Sequence, residues 1–302
     1  MAKIKLVYFP GKDSEYLEIR AHFLNDIFTQ HFEFIKFDAS AVYDKDTVFV
    51  NKTFADFDQL KQLNNQGHRV VIDNLAEAPI ETDYYQLTNK NWFWYRESEQ
   101  YRALGYHNYT PDKTYSSRAF MPINLVKPAR DQLVSELQPW LDEFIYSYKE
   151  ITLPMDLDKS NNLWTRYFNP LWYDSTYFSV VAETQVSPLR LGRSFITEKT
   201  FKPVAFYHPF LILGYAGLLK DLKQQGFETF ENLFDESYDT ELDFNKRLKI
   251  IVENVKNFNK VSYNRITQEK LEHNHNLFFN EELITQRIKE EIVNPLLEYV
   301  NS

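Results

Sequence analysis

The sequence predicts an α/β protein made of two successive runs of alternating strands and helices, followed by a helical tail. Three observations predict it. Short apolar runs rich in β-branched and aromatic residues recur with helix-patterned stretches between them. The same strand–helix grammar restarts near residue 119, and beyond residue 242 only helical periodicity remains. The chain also has just 7 glycines in 302 residues, where average usage near 7% would give about 20. It therefore makes its turns with Asn, Asp and Pro, and collagen-like, low-complexity and flexible-linker classes are excluded. Gly192, Gly214, Gly217 and Gly226 fall close together, so backbone needing special conformations is concentrated there.

Lys3 to Phe9 is a strand ended by Pro10-Gly11, and Ser14 opens a helix through Tyr16, Ile19, Phe23, Ile27 and Phe28, mostly at spacings of three and four. Phe32–Phe37 and Thr47–Val50 are further strands. A helix then ends at Gln66-Gly67, where glycine suits the position just past a helix. His68–Asp73 is a strand with an acid at its carboxyl end, and Trp92–Tyr95 reads as one more buried strand. In the second run, Ala119–Asn124 is a strand, Pro128–Leu141 a helix and Phe144–Tyr148 a strand. Residues 152–174 form a polar and aromatic excursion that reads as a lid or a packing contact. Tyr177–Ala182 is a strand, Thr197–Phe206 a helix, Phe210–Leu213 a buried strand and Leu218–Gln225 a helix. Helices follow at roughly 242–258, 267–279 and 281–299, the last kinked by Pro295. Expected domains are 1–118, 119–280 and a closing helix over 281–302.

Forty-three percent of residues are hydrophobic, which excludes a disordered chain, and a formal charge of −9 argues against broad non-specific nucleic-acid binding. There is no cysteine, hence no disulfide, thiolate metal site or cysteine nucleophile. No run reaches the ~18 apolar residues of a spanning helix, and the amino terminus is too short for a signal-peptide core. The expectation is a soluble cytoplasmic protein with no membrane partner.

The informative stretch is Ser194 to Gly214. A hydroxyl at Thr197 can cap a helix whose first turns carry Glu198, Lys199 and Lys202. Free N–H groups there attract phosphate, lysines add charge, and a neighbouring carboxylate suits vicinal ribose hydroxyls. Phosphate with ribose means a nucleotide; the bland alternative is an amphipathic helix with its charges in water.

Thr197-Glu198-Lys199, the aromatic Phe201, Ala205 and Pro209–Gly214 resemble the C-terminal signature of the α1,3-fucosyltransferase family. Phe178–Thr184 is similar to that family's Phe-Glu-Asn stretch, with Thr184 in place of Asn, and Asn124–Leu137 to its strand–turn–helix with Asn in the turn and Arg at the helix start. The resemblance covers residues 120–215. It implies a GT-B-like fold, two Rossmann-like domains facing a cleft with C-terminal helices, and a nucleotide-sugar donor held by the second domain. It implies Arg130 and Lys199 on the diphosphate, Glu198 on the ribose, Thr197 and Phe195 lining the nucleotide pocket, and Glu183 near the donor sugar. Asn124 and Lys202 join the donor set. His208 and Lys202-Pro203 depart from the family pattern, so sugar and base stay open.

The chain also looks like glycosyltransferase-like proteins of large tailed phages in Ile196–Thr200, Gly226–Phe230 and Asp235–Asp239. That resemblance raises hydroxymethylated bases in DNA as an acceptor. A DNA acceptor needs a basic face and room for a flipped nucleotide, and only Lys90, Arg96 and Arg102 lie near the candidate wall over 101–115. A glycan or small molecule stays open, as does a non-catalytic nucleotide-sugar-binding module. The expected reaction is single displacement with inversion and without a required metal, the leaving phosphate being met by Lys199 and Arg130. Asp73, at a strand end, and Glu97, with Glu99 as a rival, are the candidate bases. Asp56/Asp58 and Asp156/Asp158 have Asp-X-Asp metal spacing, and His273/His275 form a close pair. Their context supports no metal site.

Overall fold

The computed structural model describes residues 3–9, 25–52, 57–75, 80–151, 153, 169–187 and 195–302. The helix expected from Ser14, the pairs' members Asp56, Asp156 and Asp158, and Gly192 lie outside the described residues. The chain divides into two compact units: residues 1–95 with 281–302, and residues 96–280. The division falls after Tyr95, within one helix.

The first unit holds five parallel strands: β1 Ile4–Tyr8, β2 Phe32–Lys36, β3 Val48–Lys52, β4 Arg69–Asp73 and β5 Tyr85–Leu87, in the order β2-β1-β3-β4-β5. Val48–Val50 and Val70–Ile72 are buried throughout, the continuous apolar run that a strand covered on both faces requires. The helix Phe57–Asn65 ends at Gly67, whose φ of +86° is left-handed backbone that glycine adopts without a Cβ clash.

Trp92–Tyr95 is not a strand; it opens the helix Trp92–Ala103, and the fifth strand is Tyr85–Leu87. A four-residue apolar run fits a buried strand and a buried helix turn equally well. What decides here is Asn89: its Oδ1 accepts the Asn91 N–H at 2.7 Å and its carbonyl the Trp92 N–H at 3.2 Å, which turns the chain into a helix. Trp92 and Trp94 are then fully buried.

The tail forms Glu281–Ile288, a π-helical turn Lys289–Val293, and Asn294–Asn301. Pro295 has no N–H for the carbonyl four residues back, at Glu291, and its ring crowds that carbonyl; a wide turn relieves both. Glu291 is used as an anchor, its carboxylate accepting from Asn89 at 2.8 Å, Asn91 at 2.9 Å and Tyr95 at 2.8 Å. Burial raises the Tyr95 phenol's pKa, and the adjacent Glu291 raises it further, so the hydroxyl is a permanent donor. Glu291→Ala leaves buried donors without an acceptor and is expected to cost roughly 2–3 kcal/mol in denaturant unfolding.

The second unit has four parallel strands: β6 Ser117–Pro122, β7 Phe144–Ser147, β8 Thr176–Ala182 and β9 Phe210–Leu213, in the order β7-β6-β8-β9. The chain leaves β6 toward β7 on one side, while β8 lies on the other. The loops after β6 and β8 therefore diverge and leave a crevice at the strands' carboxyl ends. Gly217 and Gly226, with φ of +94° and +104°, cap the two ends of the helix Leu218–Gln225. The aromatic surplus fills this unit: Tyr173 stacks on Phe206 at 5.0 Å, Tyr106 and Tyr109 meet Phe206 edge-on, and Phe178 packs on Phe234 and Phe258. Tyr101, Tyr106 and Tyr109 of the 101–115 stretch thus pack on Phe206 in the unit's interior. Of the 152–174 excursion, Trp172 and Tyr173 pack on Phe120, and Trp164, Tyr167 and Phe168 lie outside the described residues.

Candidate functional site

At the β6/β8 divergence lies a pocket of about 200 Å³, between the loop after β6 and the amino end of the helix Glu198–Ala205. Asn124, Arg130, Glu198, Lys199 and Lys202 line it. Five of the eight residues proposed to bind the donor therefore meet in one place. Phe195 is half-buried, and it, Thr197 and Glu183 stand outside the pocket wall.

Thr197 occupies the position before the helix in extended backbone, φ −104° and ψ 179°, and its side chain does not cap the helix. Its hydroxyl donates to Glu183 Oε2 at 2.6 Å instead, because a buried carboxylate is a stronger acceptor in closer reach. Glu183 does what the cap was expected to do. Its Oε1 accepts from the Thr197 N–H at 3.1 Å and the Thr200 hydroxyl at 2.7 Å, and Oε2 also accepts the Thr184 N–H at 3.2 Å. Glu183 is 1% exposed, with both oxygens in use. It pins the amino end of the helix to the end of β8 and places a negative charge at the positive end of the helix dipole.

Arg130 stands on the helix Pro128–Leu137, donating to the Leu125 carbonyl at 2.9 Å and the Ala182 carbonyl at 3.1 Å. It ties the two diverging loops together. Its Nε–H is buried without a hydrogen-bond partner, and burial lowers the guanidinium's pKa while Glu183 and Glu198 oppose that shift.

Glu198 and Lys199 form a 2.7 Å ion pair. Burial alone would raise the Glu198 pKa; Lys199, Lys202 and Arg96 outweigh it and hold the carboxyl down to about 2. Burial lowers the pKa of Lys202, against the attraction of Glu198 and Glu97. A depressed carboxyl stabilises the fold at every pH above its unfolded value of about 4.3, and that contribution is lost as pH falls from there toward 2. Glu198→Gln is therefore expected to flatten the acid-denaturation curve between pH 4 and 2, read by circular dichroism.

The two proposed bases sit elsewhere. Glu97 is fully buried, its Oε1 held by Arg96 Nε at 2.8 Å and Nη2 at 2.5 Å. That pair belongs to the charge cluster behind Lys202, a role no local signal in the sequence announces, because Arg96 and Glu97 lie a hundred residues from the motif. Asp73 is 4% exposed and its Oδ1 accepts the Leu75 N–H at 3.1 Å, closing the turn after β4. Both carboxyls are buried and hydrogen-bonded within the fold.

His208 is also buried. Its Nε2 donates to the Thr176 carbonyl at 2.9 Å, which leaves Nδ1 to accept from Ser179 Oγ at 2.7 Å, and burial lowers its pKa so that the ring stays neutral. It locks β8 beneath the pocket. His273 donates to the Gly226 carbonyl at 2.8 Å, while His275 stacks on Tyr207 at 4.0 Å. Asp58 lies in the helix Phe57–Asn65. Among the described residues no group of three or more His, Cys, Asp or Glu is placed to hold a metal, and no helix is long and apolar enough to cross a membrane.

No protein-family model matches the chain, and no curated protein matches its sequence. Solved structures do match. An α1,3-fucosyltransferase superposes with a TM-score of 0.56 and 14% identity, over 95% of this chain and 91% of that one. An α1,3-fucosyltransferase with GDP gives 0.50 and 13%, over 95% and 92%. Identities this low speak to architecture alone: across nearly its whole length the chain has an α/β fold of the GT-B type found in α1,3-fucosyltransferases.

Proposed function

We propose that the protein is a glycosyltransferase that transfers a sugar from a nucleotide-sugar donor to an acceptor hydroxyl. One observation carries the reading: Lys199, Arg130 and an ionised Glu198 converge on a pocket at the β6/β8 divergence, at the amino end of a helix. Lys199 and the Arg130 guanidinium, which lines the same pocket, suit the diphosphate, and Glu198 suits the ribose diol. GDP bound to a protein of the same fold supports a nucleotide as the ligand.

In the reaction the acceptor oxygen attacks the anomeric carbon, the bond from that carbon to the diphosphate breaks, and the hydroxyl proton passes to a base. Displacement from the opposite face inverts the centre. Charge gathering on the departing diphosphate meets Lys199, Lys202 and Arg130, fixed before the reaction starts. Of the three acids the sequence puts forward, only Glu99 is exposed, and it is the most accessible candidate base.

The test is a thermal-shift screen against GDP-, UDP-, ADP- and CMP-sugars, in which a ligand at 100 times its Kd stabilises by about 2.7 kcal/mol. No shift with any of them would remove the donor reading. Turnover of the best donor should persist in EDTA. Mass spectrometry of nucleosides after incubation with hydroxymethylated DNA then decides the acceptor. A hexose-sized gain on the base identifies the DNA enzyme, and its absence with transfer to oligosaccharides identifies a glycan acceptor.

A further inference from the structure

At the opposite, amino-terminal ends of β6, β7 and β8 lies a second recess, open to solvent, of about 620 Å³. Tyr115, Tyr177 and Phe258 line it together with Arg118, Asp142 and Glu143. We propose that this recess binds a neutral pyranose unit of a glycan chain, independently of the donor pocket.

Four features point to that ligand. The first is a platform of rings. Tyr115 and Tyr177 stack at 4.3 Å with only 6° between their planes, and Tyr177 meets Phe258 at 5.6 Å. These half-buried, mutually packed rings give the recess a rigid apolar wall, which can meet the C–H groups of a sugar at little entropic cost. The second is the charge balance. Arg118 is already paired to Glu143 at 2.7 Å, and Asp142 is set against Lys260 in charge, so the lining has no net excess of either sign. A phosphate or a nucleic acid would find no surplus cation here, whereas carboxylates and a guanidinium at a rim suit hydroxyl groups.

The third is the backbone. Tyr115 has a φ of +48°, a region a bulky residue enters only when its surroundings impose it. Thr114 and Tyr115 both donate to the Asp174 carbonyl, at 2.9 and 3.3 Å, and Ser117 donates to the Ser175 carbonyl at 2.9 Å. These bonds hold the tyrosine ring against Tyr177 despite the strain. The fourth is distance. From Tyr177 to Ala182 is five residues of β8, roughly 17 Å at about 3.3 Å per residue, so the recess and the donor pocket are separate sites.

The experiment is saturation-transfer NMR and calorimetry on the full chain with maltohexaose, cellohexaose and chitohexaose. At least one should bind, with affinity unchanged by saturating GDP and unchanged in Lys199→Ala. Tyr177→Ala and the exposed Asp142→Asn should each weaken it by about tenfold, which is about 1.4 kcal/mol. Where Tyr177→Ala loses near-ultraviolet circular dichroism, Asp142→Asn decides. Failure of all three oligosaccharides to bind, binding that Asp142→Asn leaves intact, or displacement by GDP overturns the proposal. Failure of nucleotides to bind would not, because the recess shares no residue with the donor pocket.

Discussion

Lys199→Ala is expected to weaken binding of the preferred nucleoside diphosphate by roughly 30- to 150-fold, while the protein remains folded. The ammonium is the half-exposed member of the Glu198–Lys199 pair, with side-chain exposures of 28% for lysine and 17% for glutamate. A pair of that exposure contributes little to stability, typically under about 1 kcal/mol. A charge-assisted bond to phosphate contributes about 2–3 kcal/mol, the source of the expected fold-change. Lys199→Arg keeps the charge and should recover part of the affinity. The companion variant sharpens the assignment, because Glu198 both attracts a ribose and offsets the local cations. Glu198→Gln should weaken nucleoside diphosphates yet strengthen inorganic pyrophosphate, which has no ribose and meets one negative charge fewer. Calorimetry with both ligands reads the two effects. If both ligands weaken together, Glu198 is not the ribose contact; if Lys199→Ala leaves nucleotide affinity intact, the donor pocket is misplaced.

The parts of this arrangement that sequence could expose were those carried by local chemistry. Apolar runs of four to seven residues announced eight of the nine strands among the described residues, because a strand buried on both faces must be apolar throughout. Thr197-Glu198-Lys199 followed by Lys202 announced a charged helix start, and Arg130 a second cation at another. What escaped was whatever depends on partners far along the chain. Trp92–Tyr95 reads as strand or helix until Asn89 is seen closing the turn before it. Glu97 looks like a loop acid until Arg96 and Lys202 gather around it. The close-set glycines marked unusual backbone, as at Gly217 and Gly226. Gly217 and Gly226 serve the ends of one helix, and neither lines the donor pocket. A scarce residue marks where backbone is unusual; it does not say that a ligand is the reason.

Glu183 carries the second large expectation, and it is one of position. Its side chain is not part of the pocket lining, yet four donors converge on its carboxylate: the N–H groups of Thr197 and Thr184 and the hydroxyls of Thr197 and Thr200. Glu183→Ala strands those donors in a site that is 1% exposed, and losing such a network costs roughly 3 kcal/mol. For a unit of this size that lowers the Tm by about 6–12 °C. Donor affinity should fall as well, because the helix that presents Glu198 and Lys199 is no longer tied to β8. Glu183→Gln separates acceptor from charge. Its amide oxygen can still serve Thr200 and the Thr197 N–H, but its NH2 then faces the Thr184 N–H and a Thr197 hydroxyl that already accepts from Lys199 at 3.2 Å. The amide should therefore fall between wild type and alanine in both Tm and nucleotide affinity, the two readouts moving together across the series. A glutamine variant with full stability but lost nucleotide affinity would instead place the Glu183 charge itself in contact with the donor.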